Sequence, residues 1–186
     1  MRKTLYFVTG GAASGKSTFA ETLARGTEKP KIYVATMQPY DDEMRAKLTK
    51  HQSDRGDDWT TIEAPIDVVT ILKKAQPTDV ILLDCVTLWL TNVLLADHDV
   101  EAACGELVNA LVTCRCDVVV VSNEVGMGIV PDNALSRKFR NMQGKINQMI
   151  AARADTVITV ISGLPLVLKG SCDLVSATHV FPAGKV

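Results

Sequence analysis

Residues 10–17 read GGAASGKS, and this stretch decides the fold. Its pattern, Gly-x4-Gly-Lys-Ser, is typical of a phosphate-binding loop, in which glycines let backbone N–H groups converge on an anion. The loop follows a short apolar run, Leu5–Val8, and precedes a helical stretch at 16–25. A strand that delivers such a loop into a helix N-terminus adds the positive end of the helix dipole to the site. This context predicts a nucleoside triphosphate site rather than a plain glycine turn.

Two loop residues and one acid further along the chain predict how a metal ion is held. Lys16 is placed to reach the β- and γ-phosphates, and the Ser17 hydroxyl is placed to bind Mg²⁺, the expected cofactor. Asp84 ends an apolar run at 80–83, which is the position of a Walker B acid that supports the metal. The alternative for Asp84 is an N-cap of the helical stretch that starts near Thr87. We favour the metal role because the phosphate loop lies upstream.

The rest of the chain alternates short apolar runs with amphipathic stretches. Runs that are apolar throughout predict parallel strands covered by helices on both faces. A βαβ order with right-handed crossovers then gives a doubly wound α/β sheet, which binds ligands at the carboxyl ends of its strands. The predicted strands lie at residues 5–8, 32–34, 80–83, 118–121 and 157–161. The predicted helices lie at residues 16–25, 41–52, 66–75, 86–96, 100–115 and 134–153.

Composition and charge limit the class of protein. A chain of 186 residues fits one domain, and 47% apolar with only 5% aromatic residues suits an aliphatic core. The net charge of −1 gives no electrostatic reason to expect nucleic acid or an anionic membrane as a partner. No stretch is long enough to span a bilayer, and the first apolar run is too short for an export signal. We expect a soluble, cytoplasmic protein.

The cysteines and one histidine are candidate reactive groups. The five cysteines are odd in number and lack paired spacing, which favours reduced structural thiols over zinc or a disulfide. Met44, Leu48 and His51 fall at positions i, i+4 and i+7 of one helical stretch. A neutral imidazole can attack phosphorus and form a phosphoramidate, which splits a nucleotidyl transfer into two displacements. From the residues alone, a packed or capping histidine is the simpler interpretation.

Three further features allow two interpretations each. Glu124 lies just beyond the strand at 118–121 and is a candidate acid near the substrate, although a structural role fits equally well. Arg137 and Arg140 share a helix face, where they either stabilise charge on a transferring group or form a solvated surface. The stretch 88–95 is apolar on nearly every side, so it is either deeply buried or packs against another subunit. We favour the subunit contact.

Several blocks of the chain match one enzyme family in order. The blocks are residues 9–17, 33–36, 41–44 with His51, 59–63, 82–85, 122–131 and 162–166. Together they resemble the bifunctional adenosylcobinamide kinases/adenosylcobinamide-phosphate guanylyltransferases of cobalamin biosynthesis. The resemblance spans residues 4–169, and the block SNEVGMGIVP at 122–131 is far more specific than the phosphate loop. Ala13 stands where the family usually carries arginine.

The resemblance implies a RecA-like P-loop NTPase fold with a mostly parallel, doubly wound sheet and helices on both faces. It implies that the chain phosphorylates adenosylcobinamide with GTP or ATP. GMP is then transferred from GTP, which gives adenosylcobinamide-GDP and pyrophosphate. It also implies that His51 carries GMP covalently, that the assembly is a homotrimer, and that the catalytic domain is 1–169 with an extension at 170–186. The implied nucleotide-binding residues are Gly10, Gly11, Ala12, Ala13, Ser14, Gly15, Lys16, Ser17, Ala35, Thr36, Gln52, Ser53, Asp54, Arg55, Glu63 and Asp84.

Two rival functions share the phosphate loop. One is a P-loop small-molecule kinase without nucleotidyl transfer, which would release only a nucleoside diphosphate and never pyrophosphate. The other is a GTP-dependent binding switch, which would bind GTP and GDP without consuming a corrinoid. The Asn-Lys-x-Asp guanine signature is absent from the sequence. The guanylyltransferase family lacks it too, so its absence decides little about GTP preference.

Overall fold

A computed structural model describes residues 3–38 and 58–176. Within these ranges the chain forms a seven-stranded sheet with helices on both faces. The strands are β1 Leu5–Gly10, β2 Lys31–Ala35, β3 Trp59–Glu63, β4 Val80–Asp84, β5 Asp117–Asn123, β6 Thr156–Ile161 and β7 Leu164–Lys169. The helices are α1 Lys16–Arg25, α2 Val68–Lys74, α3 Val86–Leu95, α4 Val100–Thr113, α5 Ala134–Arg153 and α6 Asp173–Ser176.

The sheet order is β3-β2-β4-β5-β1-β6-β7. The strands β1 to β6 are parallel, and β7 pairs with β6 in the antiparallel sense. The predicted fold class is confirmed, and each of the predicted apolar runs forms a strand: β1, β2, β4, β5 and β6. The predicted helices correspond to α1 to α5, except the one at 41–52, which lies outside the described residues.

The central strands bury both of their faces, as unbroken apolar runs predict. In β1, Leu5 and Phe7 belong to an apolar cluster that includes α2 to α5, whereas Val8 belongs to a second cluster with α1. The four valines of β5, at 118–121, alternate between the same two clusters. Because helices cover both faces of the sheet, the carboxyl ends of the strands are the place where a ligand can reach several of them.

Periodicity does not predict either edge strand. β3 buries Trp59 but exposes its two threonines, so it lacks the apolar run of a central strand. β7 exposes Leu164, Leu166 and Leu168 and carries Pro165, a residue that the sheet tolerates at an edge because no further strand needs its N–H group.

The apolar helix α3 is buried mostly by its own chain. Trp89, Leu90 and Val93 are at most 2% exposed, and Trp89 Nε1 donates a hydrogen bond to the Ile66 carbonyl oxygen at 2.9 Å. Burial within the chain therefore accounts for most of the apolar surface of α3, for which the sequence favoured a subunit contact. Leu95 differs, because 61% of its surface is exposed. The homotrimer stays a prediction.

The residues that follow β7 continue onto the folded domain. Thr156 Oγ1 donates to the Ser171 carbonyl oxygen at 3.1 Å, and Cys172 is buried in the second apolar cluster. The boundary at 169 stays a prediction. All the cysteines, which are Cys85, Cys104, Cys114, Cys116 and Cys172, are free and buried, in agreement with reduced structural thiols. Within residues 3–38 and 58–176, no helix has the length and apolar character needed to cross a membrane.

A buried asparagine of α3 is hydrogen-bonded to the segments that follow β2 and β3, near the carboxyl edge of the sheet. Asn92 of α3 donates through Nδ2 to the carbonyl oxygens of Thr36 and Pro65, at 2.8 and 3.0 Å. Thr36 directly follows β2, and Pro65 comes two residues after β3. The helix α3 thereby fixes where both strands end.

Replacing Asn92 with alanine removes the hydrogen-bond donor that two carbonyl oxygens in the protein interior share. We expect Asn92→Ala to lower the free energy of unfolding by about 2–4 kcal/mol, measured by urea unfolding with circular dichroism. Asn109→Ala is the matched control, because Asn109 is an exposed asparagine on α4. The control should change the same quantity by less than about 0.5 kcal/mol. Equal effects of the two substitutions would show that the Asn92 contacts add no stability.

Candidate nucleotide-binding and transfer site

The phosphate-binding loop leaves β1 at the carboxyl edge of the sheet, between two neighbouring strands. Gly10, the last residue of β1, is in register with Asn123 of β5 and Val160 of β6. A Cβ atom at Gly10 would lie 2.4 Å from the Val160 carbonyl oxygen and 2.6 Å from Ser14 Oγ. Glycine is required here because the loop folds back closely over its own strand and β6.

The loop has the backbone form of an anion cradle. Ala13 and Gly15 have φ angles of 54° and 91°, in the left-handed region. Such residues turn successive N–H groups toward one side of the chain, which creates a concave site for an anion. The N–H group of Ser14 donates to the Gly11 carbonyl oxygen at 3.3 Å and closes the loop, and α1 begins directly afterwards at Lys16. The N-terminus of α1 therefore faces the cradle.

The turn between β6 and β7 supports this loop. Ser162 and Gly163 have φ angles of 52° and 81°, as in the two central residues of a type I′ hairpin turn. The N–H group of Gly163 donates to the Ser14 carbonyl oxygen at 2.9 Å. A Cβ atom at Gly15 would lie 3.3 Å from the Gly163 Cα atom. The two glycines let the loop and the turn touch through their backbones.

Two polar side chains of the loop fit a bound polyphosphate. Lys16 is only 8% exposed, and its Nζ donates to the Gly11 carbonyl oxygen at 3.1 Å, so the ammonium group is held within the loop. Ser14 Oγ is buried and has no hydrogen-bond partner among the described residues. A buried hydroxyl without a partner costs free energy, which a phosphate oxygen would recover. Together with the backbone N–H groups, these donors match the needs of a phosphate chain.

Asp84 ends β4 and is not a helix cap. The helix α3 begins at Val86 with Cys85 at its N-cap position, so the N-cap alternative is wrong. The Asp84 carboxylate instead accepts a hydrogen bond from the Tyr33 hydroxyl, with 2.8 Å between OH and Oδ2. Burial, with a smaller contribution from the Asp84 charge, raises the pKa of the Cys85 thiol to about 11. This thiol therefore stays neutral near pH 7 and offers no thiolate beside Asp84.

The oxygen groups at this edge suit Mg²⁺. Ser17 lies in the first turn of α1, which packs against β4, the strand that ends at Asp84. Magnesium usually takes one or two protein oxygens and completes its shell with phosphate oxygens and water. The described parts of the chain contain no cluster of three or more His, Cys, Asp or Glu residues that could hold a metal without a nucleotide. Ser17 and Asp84 stay predicted metal ligands.

Three predicted nucleotide-binding residues share one row across the sheet. Ala35 of β2 is in register with Glu63 of β3 and with Asp84 of β4. Glu63 also lines an open cavity of about 450 Å³ with residues that follow β3. Thr36 is buried, and its Oγ1 donates to the Cys85 carbonyl oxygen and accepts from the Cys85 N–H group, both at 2.8 Å. Thr36 therefore braces the strand ends, and its contact with a nucleotide stays a prediction.

Glu124 lies one residue beyond β5 and joins a buried polar network. Its Oε1 accepts from Thr9 Oγ1 at 3.1 Å and from Asn147 Nδ2 at 3.0 Å. Asn147 Oδ1 accepts in turn from Ser122 Oγ at 2.7 Å and from Gln143 Nε2 at 2.9 Å. The Ser122, Gln143 and Asn147 side chains are all buried. Linked hydrogen bonds at this depth hold the carboxylate in one orientation.

The two arginines of α5 have different surroundings. Arg137 Nη1 donates to two backbone carbonyl oxygens of the segment before α5, at 2.9 and 2.6 Å, and so braces that segment. Arg140 lines an open groove of about 620 Å³ between α5 and the loop at 126–130. In this loop Met127 and Ile129 expose 90% and 95% of their surface. The groove itself is lined by Arg140 and by the exposed apolar residue Val130.

Part of the predicted site lies outside the described residues. These residues are His51, Gln52, Ser53, Asp54 and Arg55. Their roles stay predictions. The phosphate loop, Asp84 and the row through Ala35 and Glu63 all lie along the carboxyl edge, as the predicted fold requires.

The sequence did not identify three residues that support the site through hydrogen bonds: Tyr33, Gln143 and Asn147. Tyr33 lies inside an apolar run and carries no local sign of its contact with Asp84. The two amides are four residues apart on α5, within the face that Ile146 and Ile150 also bury. Amides within a buried stripe are a usable signal, because a buried polar side chain needs hydrogen-bond partners.

The loop, the acid at the end of β4 and the sheet order define a P-loop nucleoside-triphosphate-binding α/β protein. A similar solved structure is the RadB recombinase, with a TM-score of 0.51 and 15% identity over 84% of this chain and 73% of that chain. Another is a protein of Pyrococcus horikoshii OT3, with a TM-score of 0.54 and 10% identity over 98% of this chain and 94% of that chain. At these identities the likeness shows the fold alone, which is RecA-like.

The chain belongs to the cobinamide kinase/cobinamide phosphate guanyltransferase family, whose sequence model matches residues 6–168. The bifunctional adenosylcobalamin biosynthesis protein CobU of Salmonella typhimurium LT2 is 40% identical over 181 residues, which cover 89% of this chain and 99% of the relative. The corresponding protein CobP of Pseudomonas aeruginosa is 40% identical over 168 residues, or 88% of this chain and 96% of the relative. The resemblance inferred from the sequence is confirmed.

An alanine at position 10 tests the close approach between Gly10 and the Val160 carbonyl oxygen. We expect Gly10→Ala to lower the free energy of unfolding by about 3 kcal/mol and to abolish nucleotide binding, because β6 or the loop must move. Thermal unfolding and titration with a fluorescent GTP analogue measure the two effects. Gly11→Ala is the control for folding, since a Cβ atom at Gly11 meets nothing within 4 Å. An unchanged stability in Gly10→Ala would contradict the close approach.

Proposed function

We propose that the chain is a Mg²⁺-dependent bifunctional transferase of cobalamin biosynthesis. It phosphorylates adenosylcobinamide with a nucleoside triphosphate, GTP or ATP. It then transfers GMP from GTP to that phosphate, which yields adenosylcobinamide-GDP and pyrophosphate. The observation that carries the proposal is the family match over residues 6–168 in a chain whose phosphate-binding loop is complete.

In this proposal the triphosphate occupies the loop at 10–17. Lys16 exchanges its contact with the Gly11 carbonyl oxygen for phosphate oxygens, and Ser14 Oγ gains an acceptor. The base and ribose extend toward the row through Ala35 and Glu63, where the cavity beside Glu63 offers space. The predicted contacts at 52–55 would complete the site.

Ser17 and Asp84 hold Mg²⁺ in this proposal. When bound, the ion neutralises phosphate charge as the transfer proceeds. Tyr33 orients the Asp84 carboxylate through its hydrogen bond to Oδ2. A fixed carboxylate loses less conformational entropy when it binds a ligand than a mobile one does, so Tyr33 supports the metal site indirectly.

His51 is the proposed carrier of GMP, on the strength of the family resemblance. Its imidazole nitrogen attacks the α-phosphorus of GTP and pyrophosphate leaves. The corrinoid phosphate then displaces the histidine from the same phosphorus. Each displacement inverts the configuration at phosphorus, so the two together retain it.

A homotrimer and a cytoplasmic location complete the proposal. The apolar residues Leu95 and Leu135 are exposed and line a cleft of about 200 Å³ between α3 and α5, which supports a subunit contact there. Five buried free cysteines suit a reducing compartment. No nucleic acid partner is proposed, because the net charge is −1.

Product masses test the function and the covalent step together. Wild-type protein with adenosylcobinamide and α-labelled GTP should yield adenosylcobinamide-GDP, pyrophosphate and an acid-labile label on the protein. We expect His51→Ala to stop at adenosylcobinamide phosphate and to carry no label, because the carrier is missing. His98→Ala is the matched control, since His98 is exposed near the start of α4, and it should behave as the wild type.

Each rival function gives a different result in this experiment. A kinase without nucleotidyl transfer would stop at adenosylcobinamide phosphate in the wild type as well. A GTP-dependent binding switch would leave the corrinoid unchanged. Formation of adenosylcobinamide-GDP by His51→Ala would exclude the covalent step while keeping the overall reaction.

The support that Tyr33 gives to Asp84 predicts a change in metal dependence. We expect Tyr33→Phe to raise the Mg²⁺ concentration for half-maximal activity about 10-fold or more, because the carboxylate loses its orienting donor. Tyr6→Phe is the control, since Tyr6 lies near the opposite end of β1 and should leave the Mg²⁺ dependence unchanged. Identical Mg²⁺ titrations of the two variants would contradict the role of Tyr33.

A further inference from the structure

Glu124 is hydrogen-bonded to Thr9 and Gly10, where β1 enters the phosphate-binding loop. Its N–H group donates to the Gly10 carbonyl oxygen at 3.0 Å, and its Oε1 accepts from Thr9 Oγ1 at 3.1 Å. Both contacts are made to the end of β1. The end of β1, together with Asn147 of α5, therefore sets the position of the carboxylate.

The residue that accepts the Glu124 N–H group adjoins the loop residue that Lys16 contacts. The lysine of such a loop reaches the β- and γ-phosphates, and Lys16 Nζ lies 3.1 Å from the Gly11 carbonyl oxygen. Gly11 directly follows Gly10, the residue to which the Glu124 N–H group is bonded. Glu124 is thus hydrogen-bonded to the residue next to the one that Lys16 contacts, at the entry of the loop.

The polar network holds one oxygen of the carboxylate. Thr9 and Asn147 both donate to Oε1, whereas Oε2 has no hydrogen-bond partner within residues 3–38 and 58–176. The Glu124 side chain is only partly buried. Gly126, two residues further along the chain, lines the open groove that Arg140 also lines.

Packing alone does not require a charge at this position. The amide oxygen of a glutamine would accept the same two hydrogen bonds from Thr9 and Asn147. A glutamine would also avoid the repulsion between a carboxylate and a triphosphate in the adjacent loop. A carboxylate is required when the group has to accept a proton.

We infer that Glu124 is the general base of the phosphorylation step, an inference that rests on the proposed function. The acceptor hydroxyl gives its proton to Glu124 Oε2 while its oxygen forms a bond to the γ-phosphorus. The bond from that phosphorus to the β–γ bridging oxygen breaks, and the nucleoside diphosphate leaves with the electron pair. Glu124 then releases the proton to water.

The second reaction does not need this base. Its acceptor is a phosphate group, whose second pKa is about 6, so the attacking oxygen is already ionised at pH 7. Glu124 therefore matters for transfer to an alcohol and not for transfer to a phosphate. This difference distinguishes a catalytic base from a residue that only supports the loop.

Glu124→Gln tests the inference, with Glu106→Gln as the control because Glu106 is exposed on α4. Two rates are measured on each preparation: phosphorylation of adenosylcobinamide, and GMP transfer to supplied adenosylcobinamide phosphate. Their ratio cancels any loss of folded protein. We expect the ratio of phosphorylation to GMP transfer to fall about 100- to 1,000-fold in Glu124→Gln. The same ratio should stay unchanged in Glu106→Gln.

A second variant and the rates of the wild type complete the test. Glu124→Asp keeps a carboxylate, although a shorter one, and its ratio should lie between those of Glu124→Gln and the wild type. An unchanged ratio in Glu124→Gln overturns the inference, and if both rates have then fallen in equal proportion, Glu124 has a structural role. If the wild type catalyses neither reaction, the proposed function itself fails.

Discussion

The backbone contact between the phosphate-binding loop and the turn after β6 is the constraint on which the site depends. The Gly163 N–H group donates to the Ser14 carbonyl oxygen. A Cβ atom would clash at Gly10, and at Gly15 it would lie tightly, 3.3 Å from the Gly163 Cα atom. β6 is paired with β1, so a shift of this turn would move the loop as well. The shape of the anion cradle is therefore a property of the sheet and not of the loop alone.

The features that could be predicted from the sequence are those with a local signal. The loop at 10–17 has a fixed spacing, and the central strands are apolar throughout because helices cover both of their faces. The edge strands lack this signal. β3 has exposed threonines and β7 exposed leucines with a proline, so each follows its neighbour in the sheet rather than its own pattern.

The supporting contacts of the site depend on register between distant parts of the chain, which no local pattern encodes. Tyr33 meets Asp84 because β2 and β4 are paired, and Asn147 meets Glu124 because α5 packs beside the end of β5. Burial of these side chains could be predicted, but their partners could not. For Asp84, the choice between a metal ligand and a helix N-cap depended on where α3 begins, and the sequence does not show that position exactly. The family resemblance, and not the residues around it, identifies His51 as the carrier of GMP.

The arrangement around the loop explains why a covalent carrier suits the proposed reaction sequence. If Glu124 is the base of the phosphorylation step, the corrinoid phosphate is formed beside Thr9 and Gly10, which Glu124 contacts. The second reaction takes place at the α-phosphorus of GTP, which lies further along the phosphate chain. Either the bulky corrinoid must move or the GMP must be brought to it. A histidine that accepts GMP and then presents it to the new phosphate moves the smaller group and leaves the bulky acceptor in place.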